Sequence, residues 1–193
     1  ISMLIDGERR AATGGATFER RNPLDGGIAT RAPAATPADA VAAVEAAHRA
    51  FAAWSATGPG ERRAALLKAA HALEARADAF VQAMARETGA SALWAGFNVH
   101  LAAGILTEAA SLTTQIAGEV IPSDVPGSLA MGVRQAAGVV VGIAPWNAPV
   151  ILATRAIATP LACGNTVVLK GSELCPQTHA LIIEALDEGG LPR

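Results

Sequence analysis

Two short loops hold the residues best suited to chemistry. The first reads Ala144-Pro145-Trp146-Asn147-Ala148-Pro149 and the second Lys170-Gly171-Ser172-Glu173. The carboxamide of Asn147 offers two hydrogen-bond donors, and Pro145 and Pro149 stiffen the turn that presents it. A fixed donor is what a carbonyl oxygen needs as it gains negative charge, and one such donor is typically worth about 3 kcal/mol of barrier. The other role open to Asn147 is to cap the helix that follows, since Asn is a favoured N-cap. In the second loop a cation, Lys170, and a carboxylate, Glu173, stand three residues apart. They suit ribose hydroxyls, and a carboxylate there disfavours a 2′-phosphate; alternatively they form an ordinary solvated pair. Neither loop is a glycine-rich phosphate cradle, because GxGxxG and GxxxxGK are both absent.

The remaining candidates have two readings each. Trp94 and Phe97 lie at i, i+3 on one helix face, as core packing or as the aromatic wall of a substrate pocket. Arg155 sits in an otherwise apolar stretch, as a surface residue or as a partner for an anion or phenol in a cleft. Cys163 and Cys175 are expected to lack a histidine partner and to be inert packing residues. His48, His71, His100 and His179 are scattered and HExxH is missing, so no metal site is expected. No serine stands in a GxSxG elbow.

Loops that do chemistry need elements to hold them. The chain has 193 residues, 51% of them hydrophobic, and a formal net charge of −2. Alanine alone accounts for 46 residues, so the large apolar side chains suffice for one soluble domain or two small ones. The near-neutral charge gives no sign of a basic stripe for nucleic acid. Two cysteines exclude a disulfide framework and a zinc ribbon, and a reducing cytoplasm suits them. The uncharged run Gln135 to Thr154 is long enough for a membrane helix. Its Pro145, Asn147 and Pro149 argue instead for a strand, a turn and a helix start.

Residues 1–35 read as short strands and turns. Asp6-Gly7 marks a hairpin, and Asn22-Pro23 with Asp25-Gly26 marks a turn before a strand at Ile28. Residues 36–121 read as three helices. The first starts at Thr36-Pro37-Ala38-Asp39, runs to about Trp54, and places Val41, Val44, Phe51 and Trp54 near one face. The second carries Leu66, Ala70, Leu73, Ala77, Phe80 and Met84 to a stop at Gly89. The third starts near Ser91, carries Trp94, Phe97, Leu101, Ile105, Leu112 and Ile116, and ends around Gly118. Residues 122–137 form a loop and a strand over Leu129 to Ala136. From Gly138 the order is buried strand, helix, strand, helix, which implies a parallel sheet with right-handed crossovers. The Gly-Gly-Leu-Pro end reads as a loop leading into a further strand, as though the polypeptide continued.

The segment GVVVGIAPWNAPVILATRAIATPLACGNTVVLKGSELCPQTHALIIEALDEGGLP resembles the aldehyde dehydrogenase superfamily, and the likeness reaches back to LIDGE and NPLDGGIA. GASALWAGFNVH and EAASLTTQIAGEVIP resemble its salicylaldehyde, vanillin and benzaldehyde dehydrogenase group. The resemblance implies an α/β fold: a Rossmann-like parallel sheet with helices, plus N-terminal strands of an oligomerisation domain. It implies NAD as cofactor, a small aromatic aldehyde as substrate, a role in breaking down aromatic compounds, and a homodimer or homotetramer in the cytoplasm. Asn147 would be the oxyanion-hole amide. Ile143, Ala144, Pro145 and Trp146 would line the nicotinamide side of the cleft. Lys170 and Glu173 would hold the adenosine ribose with Ser172 beside them, and Trp94, Phe97 and Arg155 would line the aldehyde pocket. The family's nucleophilic cysteine, its glutamate base and its glycine-rich nucleotide turn match nothing in the sequence. The 193 residues read as an N-terminal portion, inactive alone. The alternative is a non-catalytic dimerisation or nucleotide-binding module.

Overall fold

A computed structural model describes residues 1–191; Pro192 and Arg193, the last part of the expected exit loop, lie outside the described residues. The chain opens with two antiparallel hairpins. β1 (Met3–Ile5) pairs with β2 (Glu8–Arg10), and β3 (Thr17–Arg21) pairs with β4 (Ile28–Pro33). Asp6 and Gly7 both adopt positive φ, 56° and 71°, as a type I′ turn requires. The second hairpin loop is tied by its own polar side chains: Leu24 N–H donates to Asn22 Oδ1 at 3.0 Å and Gly27 N–H to Asp25 Oδ1 at 2.8 Å.

Helix α1 (Pro37–Ala56) begins with the expected Thr36 cap, which forms a reciprocal capping box with Asp39. The bonds that Thr36 and Thr13 donate hold the Asp39 carboxyl down at about 2. Its expected apolar face is corrected: Val41 and Val44 are exposed, while Ala46 and Trp54 turn inward. Trp54 Nε1 donates to Leu161 O at 3.2 Å, so the one large side chain at the buried end fixes the rotation of the helix.

The single helix expected between Gly60 and Gly89 is two, α2 (Pro59–Ala75) and α3 (Ala77–Thr88). Leu66, Leu73, Phe80 and Met84 are all fully buried, as their spacing suggested. The break falls at Arg76, whose guanidinium turns back to donate to Ala72 O at 3.0 Å and pairs with Glu188. A cation on the last carbonyls satisfies groups that a helix end leaves open, so the break needs neither Gly nor Pro.

Helix α4 (Ala92–Leu112) starts at the Ser91 cap and inverts its expected face. Ala95, Asn98, Val99, Ala102, Ala103, Leu106, Ala109 and Ala110 point inward, while Trp94 and Phe97 stay 41% and 48% exposed. Small side chains let α4 lie close against α2, and the bulky stripe is left for the surface. The helix ends at Leu112, not around Gly118, and Ile116 lies beyond it. The strand expected over 129–136 shrinks to β6 (Ala130–Gly132) and pairs with an unforeseen β5 (Glu119–Ile121).

The C-terminal unit follows the expected order: β7 (Val139–Ile143), α5 (Pro149–Ala162), β8 (Thr166–Lys170) and α6 (Pro176–Glu188). The strands are parallel, from Val139↔Thr166 to Ile143↔Lys170. Asn165 fastens their start, accepting from Ala137 and Gly138 N–H at 2.7 and 3.0 Å and donating to Pro160 O at 3.1 Å. Strand β7 is not buried throughout. Gly142 faces α5, where a Cβ would lie 3.1 Å from that of Ala156, whereas Val141 and Ile143 on the opposite face are exposed. The continuous apolar run therefore belongs to a strand with one open face. The core lies between α2, α3, α4, α5 and α6, with Leu66, Phe80, Leu106, Ile157 and Ile182 at its centre. No described helix is long and apolar enough to cross a membrane; the run from Gln135 to Thr154 is strand, turn and helix start.

Candidate active site

The two chemical loops leave the same edge of the sheet. Ile143 is in register with Lys170, and Ala144 N–H donates to Lys170 O at 3.0 Å, so the turn after β7 begins against the loop after β8. Ile143, Pro145, Trp146 and Asn147 are exposed along this edge. Ala144 is not: its methyl is buried in the core, and its backbone is what holds the loops together.

Asn147 does not cap α5. The N-cap position belongs to Ala148, which makes no side-chain bond, and Pro149 occupies the first turn, where its missing N–H costs nothing. The Asn147 carboxamide is thereby left at the surface. The backbone carbonyl of Asn147, not its side chain, accepts a bond of 3.3 Å from Trp94 Nε1. Trp94 in turn stacks on Phe97, ring centroids 5.5 Å apart at 21°. The aromatic pair thus leaves the helical core and stands against the Asn147 turn. Arg155 is exposed on α5, and no bond joins it to these residues.

In the second loop Lys170 Nζ lies 3.3 Å from Glu173 Oε2, and both side chains are open to solvent. A bond from Glu173's own backbone N–H, and then Lys170, hold the Glu173 carboxyl below the usual carboxylate range. It is an acceptor at neutral pH. Ser172, between them in the loop, is buried. Its Oγ accepts from Leu174 N–H at 3.2 Å.

Two residues under the site escaped the sequence. Ser172 N–H donates to His179 Nδ1 at 2.9 Å, and His179 Nε2 lies 3.2 Å from Pro149 O. Because Nδ1 accepts, the ring proton sits on Nε2 and donates to Pro149. His179 is 3% exposed, and burial pulls its pKa down to about 4. Glu87, fully buried at the end of α3, accepts from Gln177 N–H at 2.7 Å, Thr178 N–H at 2.9 Å, and the Thr178 and Thr30 hydroxyls at 2.8 Å each. It caps α6 from a distance, since the N-cap residue Cys175 makes no capping bond with its side chain. The available signals were slight: a carboxylate three residues after Met84, and a histidine two residues before the buried Leu181-Ile182 pair.

Cys175 corrects a second expectation. It has a histidine after all, with Sγ 3.9 Å from both ring nitrogens of His179. Burial, then the nearby Glu87 charge, push its thiol up to about 12, so it stays a thiol. Cys163 occupies the C-cap of α5.

Comparison with known proteins places this arrangement. The model of the aldehyde dehydrogenase family matches residues 10–193. Vanillin dehydrogenase of Pseudomonas fluorescens is 63% identical over 191 residues, covering 99% of this chain and 39% of its own. The crystal structure of a salicylaldehyde dehydrogenase from Pseudomonas putida G7, complexed with salicylaldehyde, superposes with a TM-score of 0.97 at 49% identity, over 99% of this chain and 40% of that one. An NAD-dependent benzaldehyde dehydrogenase from Corynebacterium glutamicum superposes with a TM-score of 0.94 at 35% identity, over 98% and 41%. The chain therefore spans about two-fifths of the length of the relatives it matches.

Proposed function

The chain belongs to the aldehyde dehydrogenase family, and from that premise we propose that the protein oxidises an aromatic aldehyde, salicylaldehyde or a close analogue, to its carboxylate with NAD. The observation that carries the reading is the Asn147 turn. It presents a solvent-facing carboxamide, is bonded to an aromatic pair, and abuts the loop that carries an ionised Glu173 beside Lys170.

The residues fit NAD. Glu173 would accept from ribose hydroxyls and its charge would repel a 2′-phosphate, while Lys170 would donate to the same sugar. Ile143, Pro145 and Trp146 offer an apolar edge to the nicotinamide, and the Ala144 backbone sets that edge in place. NAD supplies the hydride acceptor. The chain's own contribution is electrostatic: as a nucleophile adds to the aldehyde, the Asn147 amide donates to the oxygen that gains charge. Trp94 and Phe97 offer flat apolar surface to an aromatic ring, and Arg155 on α5 is available to an ortho hydroxyl. Cys163 ends α5 and Cys175 is a buried neutral thiol, so this reading takes neither as the nucleophile and assigns the thiolate, and the base that activates water, to residues outside these 193. The 193 residues alone are expected to be inactive.

The same reading assigns 36–121 and 138–193 to a nucleotide-binding domain. It assigns 1–35 and 122–137 to an oligomerisation domain of a homodimer or homotetramer in the cytoplasm. Exposed Val120, Ile121, Leu129 and Met131 around the β5–β6 hairpin support this, since apolar surface of this kind marks a contact.

The test is NADH formation from NAD and salicylaldehyde by the protein as its gene encodes it. Asn147→Ala is expected to cut turnover by about one to three orders of magnitude while NAD still binds. An unchanged rate removes the role of Asn147, and no turnover of any aromatic aldehyde by the parent protein overturns the reading.

A further inference from the structure

The inference begins with a buried imidazole that the mechanism does not use. His179 lies in the first turns of α6 with Cys175 Sγ 3.9 Å from each ring nitrogen, yet its two short bonds go to other elements. Nδ1 takes the Ser172 N–H of the loop after β8, and Nε2–H reaches the Pro149 carbonyl at the end of the Asn147 turn. We propose that His179 is a positioning residue that fixes the two active-site loops relative to each other, one through each ring nitrogen. The inference rests on the function proposed above, which makes one loop the ribose site and the other the oxyanion site.

Three features support it. The ring is rigid and bonded at both ends, so a shift of either loop is felt by the other. The loop runs tight against the ring: a Cβ on Gly171 would lie 3.1 Å from His179 Nδ1 and 3.2 Å from its Cβ, so loop or ring would have to give by a few tenths of an ångström. Burial also keeps the imidazole neutral, with Lys170 opposing protonation, and only the neutral ring can accept from Ser172 while donating to Pro149. A core histidine placed only to fill space needs none of these three.

The two bonds can be cut separately. In His179→Asn the side-chain oxygen replaces Nδ1 and nothing reaches Pro149. In His179→Gln the terminal amide nitrogen replaces Nε2 and nothing accepts from Ser172. His179→Gln is expected to weaken NAD binding about tenfold, measured by calorimetry without aldehyde, with kcat at saturating NAD within about twofold. His179→Asn is expected to lower kcat about tenfold and leave NAD binding within about twofold. Hydrogen exchange at the Ser172 amide should quicken in the Gln variant and stay slow in the Asn variant. Gly171→Ala leaves the imidazole in place and pushes the loop away, so it should behave like the Gln variant; it also keeps the test open if either histidine variant folds poorly. Both histidine variants moving the same constant, or neither moving one, overturns the proposal. So does a lowered melting temperature with unaltered constants, which is all a purely structural role would give. A parent protein that makes no NADH, or a Glu173→Gln variant that binds NAD normally, would instead sink the function proposed above.

Discussion

The ground beneath the candidate site and the β5–β6 hairpin treat polar and apolar residues in opposite ways. Under the site, Glu87 and His179 are buried, and each is matched to backbone groups that need a partner there. On the hairpin, Val120, Ile121, Leu129, Met131 and Val133 are open to solvent. Burying a charge is costly unless it is well bonded, and exposing a cluster of apolar side chains is costly unless something covers it. The first region is finished within the chain. The second has the composition of a surface made for contact. The contrast makes each region's substitutions behave differently, and that can be measured.

The largest effect is expected at Glu87. Replacing it with Ala removes the acceptor for Gln177 and Thr178 N–H at the start of α6, strands two buried hydroxyls, and opens a void. The cost is expected to be about 4 kcal/mol in urea unfolding. A cost under about 1 kcal/mol would mean that water replaces the carboxylate, and the ground of the site would not be the closed structure described.

The next effect is a pH dependence. His179 has a depressed pKa, about 4 against 6.5 in an open chain. Between these values the unfolded chain binds a proton that the folded chain refuses, so stability is full above about pH 6.5 and falls as pH drops toward 4. The loss amounts to at most about 3 kcal/mol. Lys170 pushes in the same direction, and the Cys175 thiol stays neutral through the range. Asp39 acts in a lower window: its stabilisation is lost only as pH falls below its ordinary 3.8 toward about 2. Urea unfolding between pH 4 and 7 should therefore show a slope that His179→Gln flattens. A slope unchanged by that variant would assign the dependence to other groups.

These two residues also mark where the sequence stops being legible. Local signals survived folding. Asp6-Gly7 made its turn, Thr36 and Asp39 made their capping box, and the strand–helix–strand–helix order from Val139 was correct. At Asn147 the sequence left a helix cap and a free carboxamide both open, and the fold separates them by putting Ala148 at the N-cap and leaving Asn147 exposed. What failed depends on distance or on competition between faces. The bonds that Thr178 and Thr30 donate to Glu87 join residues far apart in the chain, and no periodicity reports such pairs. Helix α4 offered two apolar faces, and burying the alanine face let it approach its neighbours more closely than Trp94 and Phe97 allow. The Arg76 break depends on a side chain turning back on its own helix, which spacing cannot reveal.

The smallest effect on stability is expected on the hairpin, and it tests the contrast from the other side. Its strands are three residues long and pair as Glu119↔Gly132 through Ile121↔Ala130. A two-stranded ribbon of this length is marginal by itself in water, so little of the chain's folding energy resides in it. Val120 is 71% exposed, and Val120→Thr keeps the β-branched shape while removing apolar surface. Unfolding at low protein concentration is expected to change by less than about 0.5 kcal/mol. The same substitution should weaken self-association, read as a smaller mass by light scattering at high concentration and as a melting temperature that depends less on concentration. A cost above about 1 kcal/mol in dilute solution would show that Val120 packs within its own chain. The hairpin would then resemble the ground of the site, and the contrast between the two regions would fail.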